Sequence, residues 1–221
     1  GAAFVAIRGE RFDGHDYAAA AAEHAALVVL EEPPANPLPA AVLLVEDTTR
    51  ALGHLARGWL EVVRPRVVGI TGSVGKTTTK ELTRSILARV APTHATPGNF
   101  NNHIGLPLTL LSMPQTTRFL IAEMGMNAPG EIAYLASLAQ PEVAAITAIA
   151  PVHLEGLGSI EAIAAAKAEI WQSLGEGVAV APEGEALLES PLARCQKRCT
   201  FGEEGGAVRI LEAQPRGVEG Y

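Results

Sequence analysis

The chain has 221 residues, 48% of them hydrophobic and only 5% aromatic, with a formal net charge of −7. That length holds one large domain or two modest ones, and the surplus of Ala, Val, Leu and Ile suits parallel strands buried between Ala-rich helices. The acidic balance gives no general attraction to nucleic acid or to an anionic membrane, so neither is expected as a partner and any phosphate binding must be local. No apolar run approaches the length of a membrane span, so no membrane insertion is expected. The only cysteines, Cys195 and Cys199, have no neighbouring His or Cys with which to complete a zinc site and read as free thiols in a reducing compartment. A soluble cytoplasmic protein is the expectation, and a monomer.

In chain order, residues 3–7 read as a strand entered in mid-domain, not as a signal peptide. Residues 16–26 read as an Ala-rich helix, and residues 27–30 as a strand closed by Glu31-Glu32-Pro33-Pro34. A further strand over 42–45 and an amphipathic helix over 48–63 complete a small α/β unit. Arg64-Pro65-Arg66 then interrupts the alternation, which places a domain boundary between residues 1–65 and 66–221.

The second unit opens with Val67-Val68-Gly69-Ile70-Thr71-Gly72-Ser73-Val74-Gly75-Lys76-Thr77-Thr78-Thr79-Lys80. An apolar strand, a glycine-rich turn, Gly-Lys-Thr and then a helical pattern is the order of parts of a phosphate cradle. Gly72 and Gly75 can turn successive N–H groups toward an anion. Lys76 brings a charge that reaches terminal phosphates, and the Thr77 hydroxyl suits magnesium. Ile70 stands where the first glycine of the longer loop would be, leaving a shorter Gly-x-x-Gly-Lys-Thr. The nucleotide-binding stretch is therefore Thr71, Gly72, Ser73, Val74, Gly75, Lys76, Thr77 and Thr78.

A helix follows over 77–90, a strand over 119–123 ending in Glu123, a helix over 130–138, a strand over 143–149, a helix over 159–174 capped by Ser159, and a strand over 177–181. Ligands of open parallel sheets gather at the C-terminal strand ends, where the loop, Glu123 and His153 would all lie. Glu123 fits a magnesium carboxylate, or a helix cap. An isolated histidine is usually a satisfied polar group, the default for His15, His24, His54, His94 and His103; His153 departs from it only by its place beyond a strand end. Lys167, on an Ala-rich helix, reads by itself as a solvated face residue. The amide-crowded segment Pro97-Gly98-Asn99-Phe100-Asn101-Asn102-His103-Ile104-Gly105-Leu106-Pro107 suits either turns or the peptide and sugar groups of a substrate.

Together these segments resemble the ATP-dependent Mur ligases of peptidoglycan synthesis. The likeness rests on Thr71-Gly72-Ser73-Val74-Gly75-Lys76-Thr77, on residues 98–107 of the Asn-rich segment, on Glu123-Met124-Gly125-Met126-Asn127 with Gly130-Glu131-Ile132, on His153-Leu154-Glu155-Gly156, on Lys167-Ala168-Glu169-Ile170, and in the first unit on Phe4-Val5-Ala6-Ile7-Arg8-Gly9-Glu10-Arg11-Phe12-Asp13-Gly14-His15-Asp16. The Asn-rich segment and Glu-Met-Gly-Met-Asn resemble most narrowly the branch that joins D-Ala-D-Ala to UDP-MurNAc-tripeptide. The resemblance implies a small N-terminal α/β domain holding the UDP end of the acceptor, followed by a P-loop-type, mostly parallel sheet with flanking helices. It implies ATP and Mg2+, and an acyl phosphate attacked by the incoming amine. Lys76 would contact the β- and γ-phosphates; Thr77 and Glu123 would hold one magnesium and His153 a second. Lys167 matches a lysine carbamylated in several of these enzymes, where it becomes a metal ligand. Lys76, His153 and Lys167 are thus the catalytic candidates, and Asn99, Asn101 and Asn102 the acceptor-binding ones. The chain lacks the family's acidic-Ser/Thr-Arg opening, its later Asp-x-Tyr-Asn-Ala-Asn-Pro segment and its dipeptide-receiving domain, so it reads as a fragment of a longer ligase. A sister ligase adding a single amino acid, a small-molecule P-loop kinase and a non-catalytic nucleotide-binding module are the alternatives.

Overall fold

The computed structural model describes residues 1–9, 11–151 and 157–212. The first sheet has three parallel strands in the order β1 (Ala2–Val5), β2 (Ala25–Leu30), β3 (Ala41–Leu44). Between β1 and β2 lie a 3-10 turn, Gly14–Tyr17, and the short helix α1 (Ala18–Ala22). Ala18 and Ala22, one helical turn apart, pack with Ala6, Val28 and Leu30 in the small core. The helix expected over 16–26 is thus cut short. Ala25 and Ala26 belong to β2, with Ala25 opposite Ala2, because the parallel ladder outweighs the high intrinsic helix propensity of alanine.

Helix α2 (Thr48–Val63) starts on Asp47, whose Oδ1 accepts the Arg50 amide at 2.9 Å, and ends on Arg64 in the left-handed region at φ 53°. It touches both sheets. The Thr48 hydroxyl donates to the Ala6 carbonyl at 2.7 Å, whereas Ala56 and Leu60 join the core of the second sheet. Trp59 Nε1 donates to Met113 O at 2.9 Å, fastening the far end of the helix as well.

The second sheet is seven-stranded. Its elements in chain order are β4 (Arg66–Thr71), α3 (Lys76–Leu87), β5 (Thr93–Ala95), α4 (Gly105–Leu111), β6 (Phe119–Glu123), α5 (Glu131–Ala139), β7 (Val143–Ile146), α6 (Ile160–Ala168), β8 (Val178–Pro182), α7 (Ala186–Ala193), β9 (Lys197–Gly202) and β10 (Val208–Arg209). The spatial order is β10-β9-β8-β7-β4-β6-β5, and every pair is parallel. The middle strands are buried on both faces, which is why Leu120, Ile121 and Ala122 read as an unbroken apolar run. From β4 the chain winds first toward β5 and later, through β7, toward β10. The crevice at that reversal opens beyond the C-terminal ends of β4 and β7.

The structure shifts several expected elements, each for a local reason. The helix expected over 159–174 stops at Ala168 and tightens into a 3-10 turn, Glu169–Trp171. Trp171 Nε1 donates there to Ala144 O at 3.0 Å, and the Glu169 carboxylate reaches across to α5. The strand expected over 143–149 ends at Ile146, because the next residues turn onto the phosphate loop. The Asn-rich segment ends in a helix that composition hides. Pro107 lies in the first turn of α4, where a missing N–H costs no intrahelical bond. Helix α7, with Pro191 inside it, and the polar strand β9 carry too little periodicity to be read in advance. Both cysteines are free thiols.

Candidate functional site

The phosphate loop is stitched to the neighbouring strand end. Ser73 N donates to Ala148 O at 2.8 Å, and the Ser73 hydroxyl donates to Ala150 O at 3.0 Å while accepting the Ala150 amide at 2.9 Å. The Thr147 hydroxyl donates to Val74 O at 2.6 Å. A Cβ on Gly72 would strike Thr147 Oγ1, so this close approach requires glycine. Gly75, at φ 83°, is the N-cap of α3 and provides no side-chain cap, leaving the first turn's amides to an anion. Val74, Gly75, Thr77 and Thr78 are exposed, whereas Thr71 is buried and its hydroxyl has no hydrogen-bond partner among the described residues. Lys76 Nζ folds back over the loop and donates to Gly72 O at 2.8 Å.

Glu123 ends β6, the strand beside β4, and is 2% exposed. Its Oε2 accepts from the Thr77 hydroxyl at 3.1 Å and its Oε1 from Asn101 Nδ2 at 2.9 Å. Lys80 Nζ stands 3.6 Å from Oε2. A hydroxyl and a carboxylate oxygen thus meet beside the phosphate loop. Both are hard donors, and their spacing is close to the edge of an octahedron with bonds of about 2.1 Å, so the pair fits magnesium.

Lys76, Asn99, Asn101, Asn102 and Lys167 line one cavity of 290 Å³ together with His103, Gly125, Asn127 and Glu131. A larger cavity of 610 Å³ lies between α6 and α7 but is lined by no residue of the phosphate loop, whereas Lys76 and Asn101, the Glu123 partner, line the smaller one, so chemistry favours the smaller one. The Asn residues divide their work. Asn101 braces Glu123, and a Cβ on Gly125 would press on its amide. Asn102 Oδ1 accepts the Gly105 amide at 2.8 Å and so caps α4. Asn99 is exposed at the rim.

Lys167 is 2% exposed, so its side chain is no solvated face residue. Burial lowers its pKa from 10.5 to about 8, and the nearby Lys76 adds to the shift. Glu169, two residues on, accepts the Gly130 amide at 2.8 Å and the Ala133 amide at 3.1 Å, capping α5 from outside and fixing the end of α6. His153 lies outside the described residues. Sequence reasoning gave Lys80 and Glu169 no role and left His103 as an ordinary polar group. All three sit in the quoted motifs, but nothing in the sequence signals that Lys80 is buried. Among the described residues, no cluster of three His, Cys, Asp or Glu could hold a metal by itself.

Comparison with known families decides the relationship. The Mur ligase middle domain matches residues 70–219, and the Mur ligase family catalytic domain matches residues 1–59. The chain belongs to the Mur ligase family. It is 46% identical over 205 residues to the UDP-N-acetylmuramoyl-tripeptide–D-alanyl-D-alanine ligase of Bacillus subtilis, covering 90% of this chain and 44% of that protein. The Escherichia coli ligase of the same name is 44% identical over 182 residues, covering 81% and 40%. Among solved structures, the MurF ligase of Thermotoga maritima in complex with ADP superposes with a TM-score of 0.87 at 37% identity, covering 92% of this chain and 48% of that one. MurF from Acinetobacter baumannii gives 0.86 at 38%, covering 92% and 46%. The chain therefore spans about half the length of the curated Mur ligase relatives it matches.

Proposed function

We propose that this chain is the nucleotide-binding and acceptor-binding part of an ATP-dependent, ADP-forming amide ligase of peptidoglycan precursor synthesis, joining D-Ala-D-Ala to UDP-MurNAc-tripeptide. One observation carries the reading: Thr77 and Asn101 meet on the two oxygens of Glu123, so the phosphate loop and the Asn-rich loop converge on one carboxylate. The relatives' names and the ADP-bound neighbour support the choice of branch and nucleotide. Residues 1–65 hold the UDP end of the acceptor and residues 66–221 the ATP. Among the described residues no helix is long and apolar enough to cross a membrane, and cytoplasmic work on a nucleotide-linked precursor fits that.

In this reading the first-turn amides of α3 receive the β- and γ-phosphates. Lys76 Nζ leaves the Gly72 carbonyl to meet them, exchanging a neutral acceptor for a charged one. Thr77 and Glu123 would hold magnesium, which would supply charge neutralisation for the transferred phosphoryl group, and His153 would help hold a second metal. Asn99, Asn101 and Asn102 border the space in which the acceptor's terminal carboxylate takes the γ-phosphoryl group of ATP. The dipeptide amine then attacks that carbonyl, an amide C–N bond forms, and inorganic phosphate leaves. A neutral Lys167 amine can add carbon dioxide, losing one proton and gaining a negative charge. Its lowered pKa leaves much of it neutral near pH 8, where that addition is favoured.

Phosphate release from ATP by a ligase-length polypeptide containing this chain tests the proposal. Release that needs both UDP-MurNAc-tripeptide and D-Ala-D-Ala is the expected result. Release supported by a single amino acid would assign a sister ligase, and ADP formation with a hydroxyl acceptor but without free phosphate a kinase. Nucleotide binding without turnover would leave a non-catalytic module.

A further inference from the structure

Among the described residues Lys80 is the largest fully buried side chain, 1% exposed, and none of the roles above uses it. It sits one helical turn beyond Lys76 on α3, but the two lysines have opposite surroundings. Lys76 lines the cavity; Lys80 lies behind it, packed against the end of β6. Its ammonium donates to Thr96 O at 2.8 Å and Gly98 O at 3.4 Å. The same nitrogen is 3.6 Å from Glu123 Oε2 and 3.4 Å from Glu81 Oε1. Glu81 is half-exposed, so solvent already balances much of its charge. Glu123 is not, and Lys80 is the only cation within ion-pair distance of it among the described residues. A buried carboxylate without an opposite charge is strongly disfavoured, as is a buried ammonium.

We propose that Lys80 is a positioning residue, an internal counter-cation that balances Glu123 before a divalent cation arrives and ties that carboxylate to the backbone of residues 96–98. The proposal rests on the reading of Glu123 as a metal ligand. Thr77 and Asn101 set the direction of the carboxylate oxygens; Lys80 makes their burial tolerable. Its grip on the Thr96 and Gly98 carbonyls also anchors the start of the Asn-rich segment. One ammonium therefore keeps the nucleotide side and the acceptor side of the cleft in register.

The test is thermal unfolding of the 221-residue chain without nucleotide, in NaCl and in MgCl2 of equal ionic strength. Lys80→Met should lower the melting temperature by roughly 10 °C, the scale expected when one partner of a buried pair is removed. Adding Glu123→Gln to Lys80→Met should recover at least half of that loss, because the unbalanced charge is gone. Lys80→Met should also gain more from magnesium than the unmodified chain does, and the double variant should lose that gain. A purely structural lysine would give neither the recovery nor the enlarged magnesium response, and absence of either overturns the proposal. If Lys80→Met does not fold, a folded double variant supports the proposal and an unfolded one overturns it. Glu123→Gln alone separates the two readings. If ADP binding by that variant keeps its full magnesium dependence, the metal reading falls; if the dependence is lost while the unfolding cycle shows no recovery, only Lys80's role falls.

Discussion

Each of the two sheets ends in a knot of charged side chains, and the knots differ in one respect, their access to water. At the small sheet, Arg8 Nε lies 3.2 Å from Asp13 Oδ2 and 3.3 Å from Glu31 Oε2, with its side chain 49% exposed. At the large sheet, Lys80 and Glu123 are 1% and 2% exposed. The residue types are nearly the same. In the first knot solvent screens each charge and the ion pairs are interchangeable. In the second every charge must be met by a named partner, so each position is constrained and a shifted proton equilibrium or a bound ion has a large effect.

Lys167 gives the largest test of that contrast. Its folded pKa of about 8 lies below its ordinary 10.5, so the unfolded chain holds more protons between those values. Below pH 8 the lysine is charged in both states and the cost of burying it is fully present. As pH rises from 8 to 10.5 that cost disappears, by about 3 kcal/mol. Lys167→Met should therefore be more stable than the unmodified chain at pH 7, and the gap should close as the pH climbs. Urea unfolding in carbon dioxide-free buffer at stepped pH values measures it; parallel curves would show that the ammonium is effectively solvated.

Lys76 lies at the boundary between the buried site and solvent, and its expected effect is next in size. Losing one charged hydrogen bond to a phosphate is worth about 2 kcal/mol, roughly 30-fold in ADP affinity. Calorimetric titration of Lys76→Ala, with unchanged circular dichroism, checks this. The same variant should raise the pH at which the Lys167 transition occurs, although only in part, because burial is the larger cause of that shift. No movement at all would mean that the two ammonium groups do not sense each other.

These residues also show how much was legible beforehand. The loop over residues 71–78 was readable as a candidate phosphate cradle because its pattern is local: glycines, a lysine and a threonine stand adjacent in sequence. Glu123 was readable from its place at a strand end. The ladder of β4 and β6 pairs Ile70 with Glu123 and so delivers it to the loop. Lys80 and Glu169 were not readable, since their roles exist only through partners at distant positions, Thr96 for one and Gly130 for the other. Lys167 was misread by pattern alone, because a lysine among alanines looks solvated, whereas in the fold its side chain is 2% exposed and lines the cavity with Lys76 and Glu131. In the small unit the same blindness appears in backbone form, with alanines that favour helix drawn into β2 by Ala2. The short helix α4 went unseen because its proline and glycine imitate a turn.

Glu169 sharpens the comparison at intermediate burial. Its carboxylate accepts two amides at the start of α5, and Glu169→Ala should cost about 1 kcal/mol, as for the loss of a helix cap. Amide exchange at Gly130 and Ala133 should quicken more than exchange in β4. A uniform change across the protein would mean that the cap acts on global stability and not on the segment that carries Asn127 and Glu131 toward the cavity.

Arg8 should matter least. The Glu32 side chain, then Asp13, raise its pKa above the usual value, yet its charge remains largely in water. Arg8 is only a lesser cause of the lowered Glu31 pKa. The Thr48 amide, at 3.0 Å, is the main cause of the lowered Glu31 pKa, and the Thr48 hydroxyl adds to it. A depressed carboxyl pKa contributes stability that is present above the ordinary carboxylate range and is lost as pH falls through the folded value. Arg8→Ala should therefore leave both the urea midpoint at pH 7 and the acid midpoint close to those of the unmodified chain. Thr48→Val, which removes a buried hydroxyl bonded to Ala6 O and to Glu31, should move both. If instead Arg8→Ala shifts the acid midpoint as far as Thr48→Val does, the exposed knot is coupled as tightly as the buried one, and water access is not what separates them.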